Sequence, residues 1–99
     1  MHFEVAATLH NLAAVEAAEG HIDRAEKFYG RALDIKRILL GPEHPECALT
    51  ANNLGTVLRD SGRRAEAARH FRLALSIFEA TLDPGHPHIT LCRSNLAGL

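Results

Sequence analysis

The sequence predicts an all-α chain: a row of stacked, antiparallel helix pairs. Three observations carry that prediction. The composition is dominated by alanine and leucine, with no tryptophan and 5% aromatics, which favours helix over sheet. The chain also repeats itself. Shifted by 42 residues, 14 of the 42 overlaid pairs are identical, among them His2/His44, Leu12/Leu54, Gly20/Gly62, Ala32/Ala74 and Pro42/Pro84. Finally, each copy holds two stretches of helical periodicity divided by glycine and closed by proline. Repeat one spans about residues 2–43, repeat two 44–85, and a partial third 86–99. Together they make a single domain over residues 1–99, with five helices and about two and a half repeats.

The first helix is expected from about Glu4 to Glu19, with an apolar stripe of Val5, Leu9, Leu12, Ala13 and Val15. Gly20 ends it, because glycine enters the left-handed conformation at little cost. The second helix, about Asp23 to Leu40, has Asp23 and Glu26 at capping-box spacing. Its inner face reads as Ala25, Phe28, Tyr29, Ala32, Leu33, Ile35 and Leu39, and Gly41-Pro42 stops it. His44-Pro45 opens the third, with proline in the first turn where no amide donor is required. That helix runs from about Glu46 to Ser61, before Gly62. The fourth, about Ala65 to Leu82, has alanine where the first copy has Asp23, so its start is expected to fray. The fifth follows His86-Pro87. Ala13/Gly55 and Ala25/Ala67 are expected where paired helices cross, and Ala32/Ala74 where units meet. Phe28, Tyr29 and Phe71 fill the space beside them. One helix pair cannot bury its apolar face alone, so units stack and share a core.

Composition excludes several classes of function. The net charge is −1 with mixed signs, so no basic field is present to hold nucleic acid or an anionic membrane. No apolar run approaches the roughly 18 residues of a membrane helix, and the start MHFEV lacks a signal-peptide layout. Two cysteines are too few for a disulfide scaffold, so a cytoplasmic location is expected. Cys47 and Cys92 are 45 residues apart, hence not repeat-equivalent, and read as buried small residues.

Leu12-Ala13, Gly20, Ala25, Tyr29 and Ala32 have the spacing of a tetratricopeptide repeat, and Leu54-Gly55, Gly62, Ala67, Phe71 and Ala74 repeat it. The chain resembles that family over essentially its whole length. Three further features are similar to the kinesin-light-chain subtype: the 42-residue period, the Asn-Leu-(Ala/Gly) tripeptides at 11–13, 53–55 and 95–97, and Leu-Gly-Pro-Glu-His-Pro at 40–45. Some positions depart from the pattern. Glu16 stands where the family has a large apolar residue, Ala51 and Arg93 stand where Leu9 supplies bulk, and Phe3 replaces a proline. The resemblance implies a right-handed α-solenoid whose first helices line an inner groove. It also implies a protein-interaction module, adaptor or scaffold, with no catalysis and no cofactor.

By the same resemblance the groove is lined by Ala7, His10, Asn11, Ala14 and Ala17, then by Leu49, Asn52, Asn53, Thr56 and Arg59, then by Leu91, Ser94 and Asn95. Asn11, Asn53 and Asn95 recur in register. A carboxamide offers donors and an acceptor together, so it can bond both polar groups of a peptide unit. Three in register form a ladder for an extended peptide, with specificity expected from pockets around Leu49, Leu91, His10 and Arg59. Equally, the same amides can bond neighbouring helices and set the stacking. The candidate peptide-binding set is therefore Asn11, Asn53, Asn95, His10, Asn52, Thr56, Arg59, Leu49, Leu91 and Ser94.

No nucleophile–base pair, phosphate loop or paired carboxylates can be assembled, so no catalytic residue is assigned. His86-Pro87-His88 has no cysteine partner at ligand spacing, so no metal site is assigned either. His2, His44 and His86 share one repeat position and read as N-caps or loop-packing residues, and His21 and His70 as exposed or interfacial. The basic residues of the second helices, Lys36 and Arg63 among them, read as a solvated outer face without the interleaved aromatics of a nucleic-acid site. The chain closes inside the third copy, so Leu91, Leu96 and Leu99, with Phe78, Thr81 and Leu82, are expected to be uncovered. A homodimer through that open C-terminal repeat end is the alternative to a peptide adaptor.

Overall fold

The computed structural model describes residues 2–99. Five helices follow in chain order: α1 Phe3–Ala18, α2 Ile22–Leu40, α3 Pro45–Asp60, α4 Arg64–Thr81 and α5 Pro87–Ala97. Each packs mainly on its chain neighbours, and α1 also touches α3. The result is the α-solenoid expected: α1, α3 and α5 form one layer, α2 and α4 the other. The molecule measures 32 × 31 × 19 Å. The shortest extent matches two helix layers at the usual 8–10 Å spacing plus side chains.

The turn between paired helices is the same in both copies. After α1 the Gly20 N–H bonds the Ala17 carbonyl and the His21 N–H bonds the Glu16 carbonyl; after α3, Gly62 and Arg63 do the same to Arg59 and Leu58. This arrangement satisfies two end carbonyls and needs a left-handed residue. Gly20 and Gly62 supply it, with φ of 82° and 84°. Between units, His44 and His86 cap the next first helix as expected. Each imidazole Nδ1 accepts the N–H two residues on, at 3.0 Å.

The main core lies between both layers, and Ala6, Leu9, Ala32 and Ile35 form a second, smaller cluster between α1 and α2, with Phe28 packed against both. Phe71, Phe78, Leu58, Val57 and Ile89 are the main core's largest fully buried side chains. Gly55 lies where α3 crosses α4. A Cβ built on it would stand 2.6 Å from the Phe71 ring, so glycine lets the fully buried ring lie against the α3 backbone.

Several expectations are corrected. The Asp23–Glu26 capping box does not form. The residues before α2 and α4 are His21 and Arg63, neither with a side-chain cap bond, so the two second helices start alike. Glu26 instead pairs with Arg63, which also bonds Glu66, and this ties α2 to the start of α4. The stripe on α1 is split: Leu9 and Ala13 are buried with Ala6, while Val5, Leu12 and Val15 are exposed. They lie on a different face from the one that meets α2. Leu39 is exposed as well. Phe78 is fully buried beneath α5 rather than uncovered. The far side of α5 is polar, with Thr90 and an Arg93–Glu79 ion pair at 2.8 Å where α3 has Ala48 and Ala51.

Candidate functional site

The layer of α1, α3 and α5 carries the candidate residues. Between its helices runs a polar joint that repeats. On α1, His10 reaches forward to α3: Nδ1 lies 3.0 Å from Thr50 Oγ1 and Nε2 lies 3.1 Å from Asn53 Nδ2. On α3, Asn52 is the repeat equivalent of His10 and reaches forward to α5. Its Oδ1 accepts from Cys92 Sγ at 3.3 Å and from Asn95 Nδ2 at 3.1 Å. Thr50 and Cys92 are equivalent positions, as are Asn53 and Asn95. An amide nitrogen can only donate, so His10 Nε2 is the acceptor and Nδ1 carries the proton donated to Thr50.

Beneath the first joint lies Lys36, 3% exposed. Its ammonium donates to Thr50 Oγ1 at 2.9 Å and to Glu46 Oε1 at 3.2 Å. Lys36 was expected on the solvated outer face. It sits one turn after Ala32 and Leu33, on the inner stripe of α2, and could have been found by that spacing. Burial lowers the affinity of the His10 imidazole for a proton. The Lys36 ammonium lowers it further, and Glu46 pulls the other way. His10 is therefore held neutral at pH 7 and can accept from Asn53. Burial also pushes the Cys92 thiol up to about 11, which keeps it a protonated donor to Asn52.

The candidate residues separate under this geometry. His10, Asn11 and Leu49 share one depression between α1 and α3, with Ala7, Lys36 and Glu46 completing its wall. Asn11 is exposed, whereas Asn53 and Asn95 are half-buried and each spend an amide N–H on the preceding helix. Asn52 is a correction. It is 6% exposed, and its carbonyl is committed to α5, so it faces the joint and not the groove. Thr56 donates its hydroxyl to the Asn53 carbonyl at 2.7 Å. Arg59 lies near the end of α3 with its Nε 3.5 Å from Asp60. Leu91 and Ser94 are exposed on α5. The structure thus gathers His10, Asn11 and Leu49 in one depression, bonds Asn53 to His10 and Asn95 to Asn52, and spreads Thr56, Arg59, Leu91 and Ser94 along the layer. Residue-type reasoning missed the Lys36–Glu46 pair at the floor of the depression.

Two further features lie apart from this layer's depression. Glu16, Glu19 and His21 form an exposed to half-buried cluster at the first turn, with His21 Nδ1 2.7 Å from Glu16. His86 and His88 place their rings 4.5 Å apart beside Phe78. No helix among the described residues is long and apolar enough to cross a membrane.

Among known families, a model described as a tetratricopeptide repeat matches residues 4–80 and again 46–99. The two matches begin 42 residues apart (46 − 4), the period read from the sequence. No curated protein matched the chain.

Proposed function

The chain belongs to the tetratricopeptide repeat family, and on that premise we propose that it holds an extended segment of a partner protein along the α1–α3–α5 layer. Repeats of this family generally mediate protein–protein interaction and generally work without catalysis. The observation that carries the reading is the depression of His10, Asn11 and Leu49. There an exposed carboxamide stands beside an apolar side chain and the Lys36–Glu46 pair. Asn53 and Asn95 extend the line with the amide capacity left over from the joints. Leu91, Ser94, Thr56 and Arg59 supply the side-chain surface along it.

Hydrogen bonds worth about 0.5–1.5 kcal/mol each leave a short ladder near millimolar affinity. Selectivity therefore comes from the surface at Leu49, Leu91 and Arg59. The 42-residue period and the Asn-Leu-(Ala/Gly) tripeptides support the kinesin-light-chain-like subtype, and two buried free thiols support a cytoplasmic setting. Self-association through α5 has less support, because its outer side carries Thr90 and the Arg93–Glu79 pair.

The test is selection of a randomised linear peptide library on the full chain. Selected peptides should lose about tenfold in affinity to Asn11→Ala, the loss of one or two hydrogen bonds, with Tm unchanged. Peptides that bind Asn11→Ala and Arg59→Ala as tightly as the native chain would refute the proposal.

A further inference from the structure

The two polar joints fix which way the amides of Asn53 and Asn95 face. Asn53 spends an N–H on His10 Nε2 and Asn95 spends one on Asn52 Oδ1, each at 3.1 Å. In both joints the partner atom is an acceptor, so neither carboxamide can turn over without setting acceptor against acceptor. Asn53 is held further by Tyr29: burial raises the phenol pKa, and hydrogen bonding from Asn53 lowers it in part. Among the described residues neither amide carbonyl has a partner within the chain, and no unpartnered side-chain oxygen is buried. Both carbonyls are therefore open to solvent, where they can accept from the backbone N–H groups of an extended segment.

The joints differ in one respect. The second is made of Asn52, Asn95 and the Cys92 thiol, whose pKa of about 11 keeps it neutral through the physiological range. The first contains an imidazole. From α2, His10 meets the Lys36 ammonium and the Tyr29 ring, edge-on with centroids 5.2 Å apart; from α3 it meets the Glu46 carboxylate beside the neutral Thr50 and Asn53. Thr50 Oγ1 accepts from both Lys36 and His10 Nδ1, which keeps that nitrogen a donor. A proton taken up by His10 therefore lands on Nε2 and makes both ring nitrogens donors, so turning the ring relieves nothing. Nε2–H then faces the Asn53 NH2, donor against donor. A half-turn of the Asn53 amide removes the conflict by bringing Oδ1 to the imidazolium.

We propose that His10 is the positioning residue for Asn53 and makes peptide binding along this layer proton-sensitive. Neutral, it holds the Asn53 carbonyl outward to accept a peptide N–H. Protonated, it turns the amide over, the NH2 meets that same N–H, and the peptide is held less tightly. The inference rests on the reading of this layer as the peptide-holding surface and names its regulation. Burial and Lys36 keep His10 neutral at pH 7, so binding is full there and weakens below about pH 6.5 as the folded imidazole titrates. Asn95 does not follow, because its joint has no group that titrates in this range. The loss is thus one ladder bond, about tenfold in affinity.

The first probe is the proton itself. The full chain, labelled with nitrogen-15, is titrated from pH 7.5 to pH 5.0 while NMR follows the His10 ring nitrogens and the side-chain amides of Asn53 and Asn95. At pH 7.5 Nδ1 should carry the proton, Nε2 should be bare, and the Asn53 NH2 should show a nuclear Overhauser contact to the imidazole Hε1. As His10 takes up its second proton that contact should vanish, while the Asn95 amide stays as it was. His10 still neutral at pH 5.0, unfolding before it titrates, or an Asn53 contact that survives protonation overturns the proposal. The second probe is a linear peptide without histidine, aspartate or glutamate, selected on the full chain at pH 7.5. Its Kd should rise about tenfold between pH 7.5 and pH 5.0. In His10→Gln, whose carboxamide can accept from Asn53 and takes up no proton, the ratio of the two Kd values should fall to about one. A native ratio near one, or an equal rise in His10→Gln, overturns the proposal as well. A library that yields no binder removes the peptide-holding reading and the proton-linked release with it, whereas the spectra decide the amide reversal by themselves.

Discussion

Replacing Gly55 by alanine should destabilise the protein, although alanine is the better helix residue. In an open helix interior the change gains about 0.5–1 kcal/mol. At Gly55 the new methyl would stand 2.6, 2.8 and 3.0 Å from three atoms of the Phe71 ring. That ring is fully buried, so it cannot swing out into solvent and must shift against its neighbours. Forcing a methyl into a packed core costs about 1–3 kcal/mol. The net expectation is a loss of about 1–2 kcal/mol, or a fall in Tm of roughly 4–15 °C for a domain of this size. Gly30, inside α2, is the internal control, since a Cβ there meets nothing within 4 Å. Gly30→Ala should raise Tm by a few degrees. The assay is thermal melting and urea titration of both variants. In a Phe71→Leu background the Gly55→Ala penalty should shrink by about 1 kcal/mol, the usual coupling between touching residues. Equal stabilisation by both glycine replacements would refute the packing argument.

The polar joints give the other expectations. Thr50→Val leaves the Lys36 ammonium and the His10 N–H without their shared acceptor, and should cost about 2–3 kcal/mol in urea unfolding. Lys36→Met should cost less than Thr50→Val, because Thr50 keeps His10 and the half-exposed Glu46 turns to water; the reverse order would show that the ion pair dominates. The folded chain holds the His10 proton affinity below its ordinary value. As pH falls through about 6.5, the unfolded chain therefore binds the proton first and stability drops until the folded group also titrates. His10→Asn should flatten that part of the profile between pH 7.5 and 5.5, and an unchanged slope would exclude His10 as its source. Cys92 and Cys47 are buried with raised thiol pKa values. A disulfide reagent at pH 8 should label neither until urea unfolds the chain, whereas labelling within seconds would contradict that burial.

Much of the fold was legible because the signals were local. Gly20, Gly62, His44-Pro45 and His86-Pro87 mark element ends by their own backbone chemistry, and helix limits fell within a residue or two of those expected. The Gly55 crossing was legible for the same reason, since only close backbone approach favours glycine in mid-helix. What escaped depends on partners distant in sequence. Asp23 and Glu26 had capping spacing, but Glu26 is drawn to Arg63, 37 residues on. The α1 stripe had the right period, but periodicity does not say which of two neighbouring faces meets a helix. Asn52 and Asn53 look alike in sequence; adjacent positions on a helix point about 100° apart, which puts one in the joint and leaves the other at its rim. Lys36 was assigned to solvent by its charge, although Ala32 and Leu33 one turn earlier place it inside.

The chemistry at the joints also imposes an order on the units. A lysine leads into a carboxylate and a hydroxyl at the first boundary, and a phenyl ring leads into an imidazole and a thiol at the second. Exchanging the two hairpins would lay the phenyl of Phe78 over the carboxylate of Glu4 and bring the charge of Lys36 against His88. Copies that share a backbone are therefore not interchangeable bricks. Each boundary works as a keyed connector, and shuffling it would strand a charge.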